Sequence, residues 1–348
     1  EIKMNESKKN RLIAEARTLR ALYYFNLVRF FGDVPLILDL KTVEDSKGPR
    51  DSKELIYDQI IEDLTFAEEH LPLRSEYSAS DEGRINKGAA KILFGKVYLT
   101  KGDFQKAKDK LAEVVEHESE YGFGLHKDYH ANWLRDTEAG IEAVLYMEYK
   151  EPPFQHNGEM ALAGPKYSIP GSLGISALNE ADIPTQELYD QFDNRDLRKK
   201  TNFKTEFAHL KTGEILKSSI PLSGKFWVEG LETGDRCDVN MHIIRYADAI
   251  LMYAEALNEV GESTKALAML NRIRERAFGD DSGNFKPMSK DEFRTAILNE
   301  RRLEFPHEGH RWFDLVRTGT FIQRMKEHSA YEAKEAEANK TEIAQNIK

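Results

Sequence analysis

His307-Glu308-Gly309-His310 gathers two imidazoles and a carboxylate within four residues, the composition of a zinc site. A helical zinc motif needs its two histidines four apart so that both rings meet one ion. Here they are three apart, with a glycine between them and Pro306 before, so the segment reads as a structural turn. Gly88 to Lys96 resembles a phosphate loop only superficially: its first glycine is misplaced and Val97 stands where a hydroxyl should hold magnesium. Asp280-Asp281-Ser282-Gly283-Asn284 is acidic enough for calcium but lacks the closing glutamate of an EF-hand loop, and reads as a solvated turn. Sixty acidic residues make carboxylate pairs common along the chain, so their spacing carries no weight for glycoside hydrolysis. No Gly-x-Ser-x-Gly elbow occurs. The lone Cys237, in Gly234-Asp235-Arg236-Cys237-Asp238, has no thiol partner for a disulfide and is expected to be half-buried. These readings imply no metal, no cofactor and no catalytic residue, and point to a binding protein rather than an enzyme.

Two other groups of residues suit binding or scaffolding. The first consists of aromatic and amide side chains in the middle of the chain: Asn132, Trp133, Tyr149, Phe154, Gln155, His156, Asn157, Tyr167 and Trp227. Flat aromatic faces bury the apolar side of a sugar while neighbouring amides and imidazoles take its hydroxyls. Phe154-Gln155-His156-Asn157, between Pro153 and Gly158, is expected to be an exposed loop. The candidate ligand-binding set is Asn132, Trp133, Phe154, Gln155, His156, Asn157 and Trp227, with Trp133 and His156 leading it; several of these rings could instead cover the core.

The second group is a pair of charged, aromatic motifs near the two ends. One runs Glu15-Ala16-Arg17, Arg20-Ala21-Leu22-Tyr23-Tyr24-Phe25, then Phe31-Gly32-Asp33-Val34-Pro35-Leu36. The other runs Asn299-Glu300-Arg301-Arg302-Leu303-Glu304-Phe305, then Glu308-Gly309-His310-Arg311-Trp312-Phe313-Asp314-Leu315-Val316-Arg317. Glu and Arg three or four apart pair along a helix, and Arg can also pair between helices with its stem lying on an aromatic ring. Both motifs read as structural clamps at the ends of a helical stack.

The elements that must position these residues follow from periodicity. Residues 10–31 form a helix whose apolar positions Leu12, Ala16, Leu19, Tyr23, Leu27 and Phe30 recur at helical spacing. A second set, Ala14, Ala21, Leu22 and Phe25, predicts burial on more than one side. Gly32 and Pro35 end it. Asp51 or Ser52 caps a helix reaching about His70, and Pro72 follows. From Asn86 to Glu116, Gly95, Tyr98, Gly102, Ala107 and Leu111 follow the tetratricopeptide alternation of small and large residues. Ala254, Leu257, Gly261, Ala266 and Leu270 repeat that spacing, and Leu64, Ala67 and Pro72 carry its second half alone.

The fold class expected is mainly α, a tetratricopeptide-like repeat scaffold interrupted by a long irregular insertion with a few short strands. Residues 1–348 form one domain. Within it lie N-terminal helical repeats over 10–119, the insertion over 120–240, C-terminal repeats over 241–320 and a tail over 321–348. Proline and glycine punctuate the insertion, where Ala143–Tyr149 alternates like a strand. The tail reads as a surface helix or a frayed end. A net charge of -10 disfavours nucleic acid as a partner. No stretch approaches the roughly 18 apolar residues of a membrane span, and the opening Glu1-Ile2-Lys3-Met4 reads as a trimmed start.

The two end motifs, with Pro184-Thr185 through Asp196-Leu197-Arg198 and the repeat helices in the same order, resemble the SusD/RagB family of Bacteroidetes nutrient-binding lipoproteins. The resemblance implies a cell-surface protein held to the outer membrane by an N-terminal lipid that this chain lacks. It also implies a SusC-like TonB-dependent transporter as partner and a glycan, or sometimes a peptide, as ligand. Two other classes stay open: a tetratricopeptide scaffold that binds only proteins or peptides, and a glycoside hydrolase.

Overall fold

The structure, a computed structural model, describes residues 3–39, 42–44, 47–150, 158, 160, 162, 164–166, 168–169, 173–176, 178–231, 233 and 237–346. Its first helix, α1 (Glu6–Phe31), starts one turn before the sequence pattern does, because Asn5 accepts the Ser7 amide proton and caps it. Gly32, at φ 67°, returns its own amide proton to the Val28 carbonyl and ends it. Helix α2 (Lys53–His70) is capped by Ser52, one of the two residues expected there. Helices α3 (Lys87–Lys101) and α4 (Phe104–Val115) form the first complete repeat hairpin around a left-handed Gly102.

The spacing of small and large residues does in three dimensions what it suggests in sequence. A Cβ built on Gly95 would lie 2.5 Å from Leu111 Cγ, so only glycine lets α4 sit this close to α3. The same device returns in α8 (Tyr246–Glu259) and α9 (Ser263–Phe278), joined through Gly261 at φ 88°. There Ala254, Leu257, Ala266 and Leu270 are fully buried. Helix α4 packs against α8, so hairpins more than a hundred residues apart in the chain are neighbours in the stack. The insertion is therefore looped out from between two adjoining repeats, and α1–α2, α3–α4 and α8–α9 share one core. Helices α10 (Lys290–Glu304) and α11 (Arg311–Arg317) follow, and the tail is α12 (Phe321–Asn346).

The helical segments α5 (Glu118–Tyr121), α6 (Gln186–Asp190) and α7 (Lys199–Asn202) are short. Strand β1 (Ala143–Met147) pairs antiparallel with β4 (Met241–Arg245), tying the start of the insertion to the residue before α8. Strands β2 (Phe203–Ala208) and β3 (Ile215–Ser223) make a separate hairpin. Two satellite clusters lie under the insertion, one around Tyr129, Trp133, Phe226 and Cys237, the other around Ile169, Phe207 and Leu222.

Two expectations fail. Burial of α1 on more than one side does not occur: Ala14, Ala21, Leu22 and Phe25 are buried, whereas Leu19, Tyr23, Leu27 and Phe30 are 39–62% exposed. Helical spacing marks a stripe as apolar but cannot say whether a neighbour covers it. Cys237 is fully buried rather than half-buried, because the fold brings Phe226, Val239 and Trp133 around a thiol whose chain neighbours are polar. Burial pushes that thiol up to about 11.

Candidate functional site

The second end motif lies at the centre of a buried ion network. Glu304, at the end of α10, accepts from Arg198 Nη1 at 2.9 Å, Arg245 Nη1 at 3.1 Å and Arg276 Nη2 at 2.5 Å. Arg245, between β4 and α8, also reaches Glu142 and both oxygens of Glu308. Lys225 donates to Glu308 at 2.5 Å, Arg276 pairs with Glu142, Arg274 with Glu300, and Arg198 with Asp196 and Glu300. Five cations (Arg198, Lys225, Arg245, Arg274, Arg276) thus face five carboxylates (Glu142, Asp196, Glu300, Glu304, Glu308). Such neutrality is what makes burial of so many charges tolerable. Burial alone would raise Glu304 and Glu308, yet the surrounding Arg and Lys charges hold both carboxyls below the ordinary range.

A second network runs Lys96–Asp248–Arg301–Asp314–Arg317–Glu255, three cations on three carboxylates. It reaches the first end motif through Arg29, whose guanidinium lies 3.6 Å from the Phe313 ring centroid and 4.0 Å from that of Phe25. Phe30 meets Phe313 edge-on at 4.8 Å. The two end motifs therefore touch one another. His307 and Glu308 belong to the turn between α10 and α11, and His307 adopts φ 60°. Among the described residues no group of three or more His, Cys, Asp or Glu could hold a metal ion, and no helix is long and apolar enough to cross a membrane.

The insertion is anchored on the first network. Lys225 Nζ lies 4.6 Å and the Arg245 guanidinium 5.3 Å from the Trp133 ring centroid, and the Tyr129 hydroxyl reaches the Glu304 carbonyl at 2.7 Å. Burial lowers Lys225 to about 8, with Glu308 opposing that shift. Trp133 is only 4% exposed and Asn132 is fully buried, so neither ring face nor amide lies open in this conformation. Trp227 is half-buried; it packs on the same cluster as Trp133 and meets Phe207 edge-on at 4.7 Å. Phe154, Gln155, His156, Asn157 and Tyr167 lie outside the described residues.

Each of the three described candidates carries a buried polar atom without a partner among the described residues: Asn132 Oδ1, Trp133 Nε1 and Trp227 Nε1. Buried polar atoms are nearly always paired, so one acceptor and two donors mark this layer as one that water or a ligand can complete. Glu138, beside it in sequence, accepts the Asn240 amide proton at 2.9 Å and is pushed up to about 7 by burial. Lys225 and Glu142, which join the insertion to the clamp, carry no signal in the sequence. Each lies in a non-periodic segment, and burial of a charge depends on partners far along the chain.

The model of the SusD family matches residues 155–348, and that described as starch-binding associating with outer membrane matches residues 1–99. A SusD-like protein of Formosa agariphila is 31% identical over 349 residues, covering 90% of this chain and 66% of the relative. One of Bacteroides ovatus is 27% identical over 343 residues, covering 90% and 60%. The chain thus spans about two thirds of the length of the curated relatives it matches. Among solved structures, a laminarin binding SusD-like protein matches with a TM-score of 0.77 at 29% identity, over 94% of this chain and 75% of that one. A SusD superfamily protein from Parabacteroides distasonis matches with a TM-score of 0.78 at 28% identity, over 91% and 70%.

Proposed function

The chain belongs to the SusD family, and from that premise we propose that it is a non-catalytic, outward-facing protein of the outer membrane that captures glycans and passes them to a TonB-dependent transporter. The observation that carries this reading is the pairing of a rigid, charge-clamped helical body with an aromatic insertion that holds unpaired buried polar atoms. The relative that binds laminarin, at 29% identity, supports a β-glucan as the first ligand to try. Membrane attachment through an N-terminal lipid and a SusC-like partner are part of the same proposal.

In this reading the sugar lies on the insertion over Trp227 and the segment Phe154–Asn157. Trp133, in the cluster on which Trp227 packs, and the buried Asn132 support it from within. A glycoside hydrolase needs a raised general acid and a second carboxylate across a cleft. Glu304 and Glu308 are instead held below the ordinary carboxylate range by the surrounding Arg and Lys charges. Glu138, the raised one, is 5% exposed.

The test is an affinity screen of the purified protein against soluble glycans, beginning with laminarin, repeated with Trp227→Ala and Trp133→Ala. Loss of binding on Trp227→Ala, with the glycan recovered uncleaved, is the expected result. Glycan affinity untouched by both substitutions removes the site, peptide binding alone favours a repeat scaffold, and shortened glycan chains favour a hydrolase. Co-purification with a transporter barrel from native membranes tests the partner.

A further inference from the structure

Arg29, in the last turn of α1, is half-buried and has no carboxylate partner among the described residues. Burial pulls it down to about 10, so it is still a cation at neutral pH. Asp248 and Asp314 act on it only from a distance, and both are bonded elsewhere, to Lys96, Arg301 and Arg317. The Phe25 and Phe313 rings cover the two faces of the guanidinium. Its Nε donates to the Phe25 carbonyl and its Nη2 to Asn26 Oδ1. Its Nη1 has no hydrogen-bond partner among the described residues, yet it is not one of the sealed polar atoms, so this edge keeps accessible surface. A partly desolvated cation, held in place by two rings and open along one edge, lacks only an anion.

A cavity of about 530 Å³ lies beside it, between the end of α1, the start of α2, the end of α3 and α11. Arg29 and the half-buried Tyr57 both line it. The Tyr57 hydroxyl is likewise unpaired among the described residues and not sealed. The two groups are within electrostatic reach of one another: burial raises Tyr57 and the Arg29 charge opposes that, while Tyr57 is the largest influence opposing burial at Arg29.

The Lys101 ammonium, also on this cavity, lies 4.8 Å from the Tyr57 ring centroid and is a second cation without a carboxylate partner among the described residues. The other lining charges are matched. Arg317 pairs with Glu255 and Asp314, and Lys53 faces Glu54 at 3.9 Å. Val28, Phe313 and Val316 supply hydrocarbon to the same walls. Two unmatched cations and a hydroxyl beside an apolar wall suit an anion that carries carbon on one side. Sulfate or phosphate, hydrated all round, would lose water to that wall with nothing in return.

We infer that this cavity is a binding site, separate from the insertion, for a small organic carboxylate. The anion lies between Arg29 Nη1, the Tyr57 hydroxyl and the Lys101 ammonium, and its carbon skeleton rests against Phe313 and Val316. The volume suits a single ring bearing one carboxylate, either a free organic acid or the uronate unit of a glycan.

Arginine Nε–H spectra of ¹⁵N-labelled protein at pH 7 test this directly, because the Phe25 carbonyl protects the Arg29 Nε–H from exchange. The probes are benzoate, glucuronate, benzamide as a neutral isostere and sulfate as an inorganic anion. A carboxylate should shift the Arg29 signal saturably, with a dissociation constant on the order of 1 mM, and benzamide should leave it in place. Benzoate alone identifies a free acid and glucuronate alone a uronate; either supports the site. Tyr57→Phe and Lys101→Gln keep Arg29 between its two rings. Each should weaken binding about threefold to tenfold while the folded spectrum persists. If Tyr57→Phe does not fold, the exposed Lys101→Gln decides alone. No saturable shift with either carboxylate, or an equal response to benzamide, overturns the inference. Sulfate binding at least as tightly as both carboxylates, or affinity unchanged in the variants, overturns it equally.

Discussion

Glu304→Gln changes one oxygen to nitrogen at the centre of the clamp and should cost on the order of 3–5 kcal/mol of stability. Glu304 is fully buried and accepts from Arg198, Arg245 and Arg276 at 2.9, 3.1 and 2.5 Å. Hydrogen bonds to charged groups contribute about 1.5–3 kcal/mol each. A glutamine oxygen can keep the two on Oε1, but its amide then meets Arg198 Nη1 donor to donor. The network is left with five cations on four carboxylates, one uncompensated buried charge. Breaking a buried pair on one side typically costs about 3–5 kcal/mol, and that is the expected loss. In urea, at a slope of about 3 kcal/mol per M, the midpoint should fall by on the order of 1 M at unchanged slope. The double variant Arg276→Met with Glu304→Met removes one charge of each sign and should recover at least half of the loss. The difference between wild type and Glu304→Gln must also shrink in acid. The folded-state carboxyl is held below its ordinary value, so its contribution is complete above about 4.5 and disappears as pH falls through the folded value. A midpoint shift under about 0.3 M at neutral pH, or a difference that does not change between pH 7 and 2, would refute the clamp as a source of stability.

Gly95→Ala should destabilise by about 1–3 kcal/mol in thermal or urea unfolding despite alanine's better helix propensity, because its Cβ lands 2.5 Å from Leu111 Cγ. Glu138 is raised from 4.5 to about 7, so whatever stability it adds is complete below 4.5 and gone above 7. Glu138→Gln should therefore flatten the loss of stability between pH 5 and 8 and raise the melting temperature at pH 8. Cys237, fully buried with its thiol pushed up to about 11, should stay unmodified by a thiol reagent at pH 8 until the protein is unfolded in denaturant.

Local chemistry makes the repeats legible in the order of residues alone. Gly95 against Leu111, the turns at Gly102 and Gly261, and the cap at Ser52 are short-range rules of sterics and hydrogen bonding, and each stands where the sequence places it. The end motifs are legible as charged, aromatic clusters, but the partners of their Glu and Arg lie far along the chain, Glu304 with Arg198, Arg245 and Arg276 and Arg301 with Asp248. What the chain order conceals is adjacency. That α4 packs on α8 across the whole insertion, that Arg29 meets Phe313, and that Lys225 and Glu142 close a neutral network around Arg245 depend on segments far apart in sequence. Burial is likewise a tertiary property. The apolar stripe of α1 stays open, while Cys237, Trp133 and Asn132, in polar or irregular surroundings along the chain, lie inside. Periodicity says which side chains share a face, and only packing decides whether that face is covered.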